Sequence, residues 1–121
     1  LICISNQAGI STGDLTKQNL NKINSAIQNS YRKLKIKIVE FFVNYSHFNS
    51  KDYDRKPNPG LFIKASKKYK FILDRTLYIG DDLRDIEASF KAKTRCLYVG
   101  EKKLNAKLKE KYKYTLIKNL P

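Results

Sequence analysis

The sequence predicts an α/β fold, a parallel sheet covered by helices on both faces. Three observations carry that prediction. Short, apolar, β-favouring runs alternate with amphipathic helical patterns from one end of the chain to the other. Polar residues able to do chemistry gather after the first and third strand patterns and just ahead of one helix. No internal repeat, low-complexity tract or interdomain linker interrupts the alternation, so residues 1–121 read as one domain.

Residues 1–4, Leu-Ile-Cys-Ile, form an unbroken apolar run of the kind a strand buried on both faces carries. Residues 5–13 follow as a loop, with Gly9 and Gly13 available for tight turning. Thr16 is positioned to cap a helix. Behind it Leu20, Ile23, Ile27, Tyr31 and Leu34 recur at helical spacing, which predicts an amphipathic helix to about residue 34. Residues 36–43 are a second strand. Residues 44–58 are a polar loop that holds the only histidine, His47. Pro59 suits the first turn of a helix running to about residue 69. A strand at 76–79 stops at Gly80, and an acidic helix runs on to about residue 92. A fourth strand occupies 95–99, closed by Gly100. A short basic helix over 103–111 and an edge strand over 114–117 complete the pattern.

Composition narrows the function. No apolar run is long enough to span a membrane, and nothing reads as a signal peptide. Cys3 and Cys96 lie inside apolar runs without the paired spacing of a metal knuckle. They read as two reduced core cysteines in a cytoplasmic protein. The net charge of +14 permits attraction of an anionic substrate or nucleic acid, but the favoured reading is a solvated Lys-rich surface. The aromatic-interleaved basic pattern of single-strand binders is absent. The chain opens inside a core-strand pattern without Met, and it is expected to be N-terminally truncated.

Three clusters carry the chemistry. Ser5-Asn6-Gln7 offers a hydroxyl, two amides and a run of backbone N–H groups suited to phosphate oxygens. In Arg55-Lys56-Pro57-Asn58-Pro59-Gly60 two prolines stiffen the approach to a cation pair. In Gly80-Asp81-Asp82-Leu83-Arg84-Asp85 three carboxylates follow a buried strand within five residues. Such a cluster suits Mg²⁺, which prefers carboxylate oxygens and keeps several waters, with Asp81 as ligand. Asp82 and Asp85 alternatively complement a helix N-terminus. Together the clusters make up most of a phosphoryl-transfer site, which works by positioning and charge neutralisation. A nucleophile is lacking. The only Asp-x-Asp, Asp52-Tyr53-Asp54, lies in a polar loop rather than at a strand end.

Taken in order and spacing, Ser5-Asn6-Gln7-Ala8-Gly9-Ile10, Arg55-Lys56-Pro57-Asn58-Pro59-Gly60 and Gly80-Asp81-Asp82-Leu83-Arg84-Asp85 resemble the haloacid-dehalogenase superfamily. The resemblance is closest to its histidinol-phosphate and heptose-bisphosphate phosphatase subgroup. It implies a Rossmann-like core, here lacking its first strand, and a Mg²⁺-dependent aspartyl-phosphate mechanism acting on a small phosphorylated sugar. Ser5 would bind the transferring phosphoryl group, and Asn6, Gln7 and Ala8 would line the substrate pocket. Arg55 would recognise substrate and Lys56 would stabilise phosphoryl charge. Asp81 would ligate Mg²⁺, Asp82 would sit at the metal's edge, and Asp85 would orient Lys56. The family's first motif, an Asp-x-Asp carrying nucleophile and acid, belongs before residue 1, so the chain alone is expected to be inactive. The heptose enzymes hold zinc with three Cys and one His in the loop before Arg-Lys. Here His47 matches the His, but Tyr45, Asp52 and Asp54 replace the cysteines, so no structural zinc is expected. A polynucleotide 3′-phosphatase, which shares Asn-Gln-x-Gly-Ile and Arg-Lys-Pro, is the alternative enzyme. A catalytically silent basic binding module is the alternative from another class.

Overall fold

The computed structural model describes residues 1–100 and 104–118. The chain divides into two compact units, Leu1–Arg55 and Lys56–Pro121. The first unit holds strand β1 (Ile2–Asn6), a one-turn helix α1 (Gly9–Thr12), helix α2 (Lys17–Lys33) and strand β2 (Glu40–Asn44). β1 and β2 pair in parallel, from Ile2 opposite Glu40 to Asn6 opposite Asn44. Thr16 caps α2, its side chain accepting the Asn19 N–H at 3.1 Å. Arg32 and Lys33 occupy the last turn of α2, where cations oppose the negative end of the helix dipole.

Three details of this unit differ from expectation. The strand expected from residue 36 begins at Glu40. Lys35 turns left-handed at φ 60°, and the parallel ladder cannot begin before its partner strand does at Ile2. Val39 N–H reaches only the carbonyl of Leu1, at 2.8 Å. The loop expected over 5–13 contains α1, because the Ser11 and Thr12 N–H groups both turn back on the Ala8 carbonyl. Gly13 ends that turn at φ 83°, a conformation glycine adopts without a Cβ penalty. Cys3, expected in the core, is only half-buried.

The second unit holds helix α3 (Gly60–Tyr69), a 3₁₀ turn (Leu73–Arg75), strand β3 (Leu77–Gly80), helix α4 (Leu83–Ala92), strand β4 (Arg95–Val99), helix α5 (Ala106–Lys111) and strand β5 (Thr115–Ile117). The three strands form a parallel sheet in the order β3-β4-β5, with β5 at an edge. Its core gathers Ile86, Cys96, Tyr98 and Tyr112. Edge-to-face contacts between Phe90 and Tyr112 and between Tyr98 and Tyr114 extend it. Thr76, expected in β3, is held by the 3₁₀ turn instead, its N–H on the Leu73 carbonyl and its hydroxyl on that of Ile72. Asn105 caps α5 by accepting the Leu108 N–H at 2.9 Å, so the helix starts at Ala106. Lys103, the expected start, lies outside the described residues.

Among the described residues all strand pairs are parallel, as the alternation predicts, but they form a two-stranded and a three-stranded sheet. Alternation dictates the direction of neighbours, not the number of hydrogen-bonded groups they fall into. No helix among the described residues is long and apolar enough to cross a membrane.

Candidate active site

The site in the second unit is built where β3 hands over to α4. Asp82 is the N-cap of α4. It accepts the Arg84 N–H at 2.9 Å and its Nε at 2.7 Å through one oxygen, and Nη2 at 3.1 Å through the other. Asp85, three residues on, completes a capping box. Its Oδ2 accepts the backbone N–H groups of Asp81 and Asp82, each at 3.1 Å. Its Oδ1 faces Lys56 Nζ at 2.5 Å and the Tyr78 hydroxyl at 3.0 Å. The capping reading of Asp82 and Asp85 is therefore realised, and each also grips a cation, Asp82 the Arg84 guanidinium and Asp85 the Lys56 ammonium.

Burial sharpens that grip. Asp85 is 4% exposed and the Lys56 side chain 12%, so the pair attracts in a medium that screens weakly. Tyr78 closes the group, with Lys56 Nζ 3.1 Å from its oxygen and Phe62 of α3 packed on its ring at 4.7 Å. Burial first, and then the Asp85 charge, push the Tyr78 phenol well above its ordinary range, so it keeps its proton. Gly80 is required by this geometry: a Cβ there would lie 2.4 Å from Asp85 Cβ. We expect Gly80→Ala to destabilise the chain by about 1–3 kcal/mol, as overpacking does elsewhere. Urea denaturation checks this, and an unchanged midpoint contradicts it.

Asp82 carries a second prediction. Hydrogen bonds from Arg84 hold its carboxyl down to about 2, against an ordinary 3.8. A depressed folded value stabilises the fold fully above the unfolded value, and that stability is lost as pH falls from about 4 to about 2. Asp82→Asn keeps an acceptor for the cap and removes the charge. Its denaturation midpoint, measured with chelator present, should fall less steeply over that window than the parent's. Identical pH dependences would contradict the assignment.

Asp81 stands exposed at the mouth of α4. Among the described residues no three His, Cys, Asp or Glu side chains are grouped to hold a metal ion. Asp81 is thus a single carboxylate donor, which fits Mg²⁺, an ion held through one or two carboxylates with water and substrate phosphate completing the shell. The oxygens of Asp82 and Asp85 are already engaged.

The first unit holds the other expected residues. Ser5, Asn6 and Gln7 lie at the carboxyl end of β1. Gln7 Nε2 donates to Ser5 Oγ at 2.8 Å, and Gln7 N–H binds the Asn44 carbonyl at 2.8 Å. Ala8 occupies the N-cap position of α1. Ser5 and Gln7 line a cavity of about 250 Å³ with Leu15, Leu20, Ile23 and Phe41. Arg55 is 6% exposed and donates from Nη1 to the Ser46 carbonyl at 3.1 Å, so its side chain braces its own loop. In that loop Asp52 accepts from Asn44 Nδ2 at 2.8 Å and from the Asp54 N–H at 2.9 Å, and His47 Nδ1 accepts the Asn49 N–H at 3.2 Å. Tyr45 lies under Lys17, whose Nζ is 5.1 Å from the ring centroid.

Residues 8–99 match the family of haloacid dehalogenase-like hydrolases. The chain belongs to this family. It is 32% identical to the D-glycero-alpha-D-manno-heptose-1,7-bisphosphate 7-phosphatase of Photorhabdus laumondii, over 82% of this chain and 58% of that protein. It is 29% identical to the D-glycero-beta-D-manno-heptose-1,7-bisphosphate 7-phosphatase of Helicobacter pylori strain J99, over 78% of the chain and 55% of that protein. The chain thus spans a little over half the length of these relatives. The same hydrolase fold appears in the D,D-heptose 1,7-bisphosphate phosphatase of B. bronchiseptica, crystallised with magnesium and phosphate. There the TM-score is 0.77 at 23% identity, covering 81% of this chain and 55% of that one. A HAD-like phosphatase structure from Mesorhizobium loti gives 0.77 at 24% identity, covering 87% and 55%.

Three contributors to the two sites are not legible in the sequence: Tyr78, Asn44 and Asp52. Tyr78 reads only as a β-favouring residue in an apolar run; the available signal is that a buried Tyr hydroxyl needs a partner. Asn44 and Asp52 read as loop polarity, although Asn and Asp are the residues that hydrogen-bond nearby backbone in turns.

Proposed function

We propose that this chain forms part of a Mg²⁺-dependent phosphatase that hydrolyses a monoester of a small sugar phosphate, of the D,D-heptose 1,7-bisphosphate or histidinol-phosphate type. The observation that carries the reading is the buried Lys56–Asp85 pair beside the exposed Asp81 at the carboxyl end of β3. Residues 1–121 belong to one cytoplasmic hydrolase domain in this reading, consistent with a family match that runs through both units.

Lys56 sits opposite the transferring phosphoryl group and neutralises charge that grows in the transition state. Asp85 supplies the countercharge that keeps the ammonium in place before substrate arrives. Ser5 donates to a phosphoryl oxygen, while Asn6, Gln7, Ala8 and Arg55 contact the rest of the substrate. Asp81 would hold Mg²⁺, with Asp82 next to it. When bound, the ion offsets phosphate charge and orients the phosphoryl group for in-line attack.

The attacking carboxylate comes from the family's first motif. It forms a bond to phosphorus as the ester P–O bond breaks, and the leaving alcohol takes its proton from that motif's second acid. Water then hydrolyses the acyl phosphate. Asp52-Tyr53-Asp54 does not serve, because both Asp52 oxygens are engaged inside its loop.

The test is phosphate release by a polypeptide carrying this chain together with the family's first motif. Substrates are D-glycero-D-manno-heptose 1,7-bisphosphate, histidinol phosphate and a 3′-phosphorylated oligonucleotide. The reading expects a sugar or histidinol ester to be preferred. Preference for the oligonucleotide would move the assignment to the polynucleotide branch, where the charge of +14 finds its use. No hydrolysis of any of them would favour a binding module.

A further inference from the structure

The geometry points to Tyr78 as a positioning residue for the Lys56 ammonium: its phenol oxygen bridges Lys56 and Asp85 and fixes the direction in which the cation is held. Three distances close the cycle. Lys56 Nζ lies 2.5 Å from Asp85 Oδ1 and 3.1 Å from the Tyr78 oxygen, and that oxygen lies 3.0 Å from the same Asp85 Oδ1. A phenol both donates and accepts. Lys56 therefore donates to Tyr78, and Tyr78 donates to Asp85.

An ammonium on a four-carbon stem swings freely about a single carboxylate, because a point charge has little directional preference. A second acceptor at a fixed angle removes that freedom. Tyr78 supplies a rigid one. Its ring packs at a tilt of 59° against Phe62 with centroids 4.7 Å apart, and its backbone lies in β3, paired with Cys96 of β4. The second Asp85 oxygen is meanwhile tied to the Asp81 and Asp82 backbone. Lys56 is thus referred to the strand, to α3 and to the acidic turn at once. Burial keeps the phenol protonated, which maintains the donor to Asp85.

Tyr78→Phe tests this, since it removes one oxygen and leaves the ring. The first measurement uses the chain as it stands: exchange of the Lys56 ammonium protons with water, by ¹⁵N NMR, the signal assigned by its loss in Lys56→Arg. Exchange should quicken about tenfold in Tyr78→Phe, the scale expected for losing one hydrogen bond to a charged group. Tyr114→Phe, a phenol elsewhere in the unit, should leave it unchanged. The second measurement rests on the phosphatase reading and uses the polypeptide with the family's first motif. There kcat should fall about tenfold with KM within about twofold, because direction of charge matters at the transition state. Unchanged ammonium exchange overturns the proposal. Faster exchange with unchanged kcat, or a rise in KM instead, also overturns it and leaves Tyr78 as packing. If the parent releases no phosphate, the phosphatase reading fails, and the exchange measurement still decides whether Tyr78 holds Lys56.

Discussion

Replacing Lys56 with alanine in the polypeptide that carries the family's first motif should lower kcat by about 10²-fold or more, the scale seen when a preorganised charge stabiliser is removed. KM should change less, because in the proposed reading the ammonium faces charge that is greatest in the transition state. Arg55→Ala makes the contrast. In the proposed reading Arg55 contacts the rest of the substrate in ground and transition states alike, so its loss should raise KM more than it lowers kcat. Steady-state kinetics on both variants decide the matter. A kcat within about twofold of the parent after Lys56→Ala is too small a change for a transition-state contact. That result would make Lys56 an ordinary partner of Asp85.

The second large effect is on stability. Asp85→Ala removes the buried carboxylate paired with Lys56, an acceptor of the Tyr78 hydroxyl and the acceptor of the Asp81 and Asp82 N–H groups. Breaking a buried pair from one side costs about 3–5 kcal/mol. Asp85→Asn retains one acceptor and most of the shape, so its loss should be smaller. Urea denaturation of the chain measures both. A cost under about 1 kcal/mol for Asp85→Ala would mean that the pair behaves as an exposed one.

Much of this arrangement is legible in the sequence, for identifiable reasons. β4 spans Arg95–Val99, where an apolar run meets Gly100, and Thr16 caps α2 where a hydroxyl precedes a periodic run. These features depend on neighbours in the chain. The ones that escaped depend on partners far along it. The start of β2 is set by where β1 begins, and Thr76 is claimed by Leu73 and Ile72 rather than by a strand. The site divides the same way. Three acids after a strand point to a cap or a metal from spacing alone, and the resemblance assigned Asp85 to Lys56. Spacing could not identify Tyr78 as the third member, because that contact joins residues 22 positions apart. Nor could it place the Arg55 guanidinium on its own loop, since proline stiffness constrains the backbone and not the side chain.

In the proposed function the turn after β3 serves metal-assisted phosphoryl transfer. The most direct measurement is a Mg²⁺ titration of phosphate release from D-glycero-D-manno-heptose 1,7-bisphosphate, comparing the parent with Asp81→Asn in the polypeptide bearing the first motif. The account predicts saturable activation by Mg²⁺ in the parent, and loss of both activity and Mg²⁺ response in Asp81→Asn. Activity that is indifferent to Mg²⁺, or an Asp81→Asn variant that keeps the parent's rate and Mg²⁺ response, would contradict it.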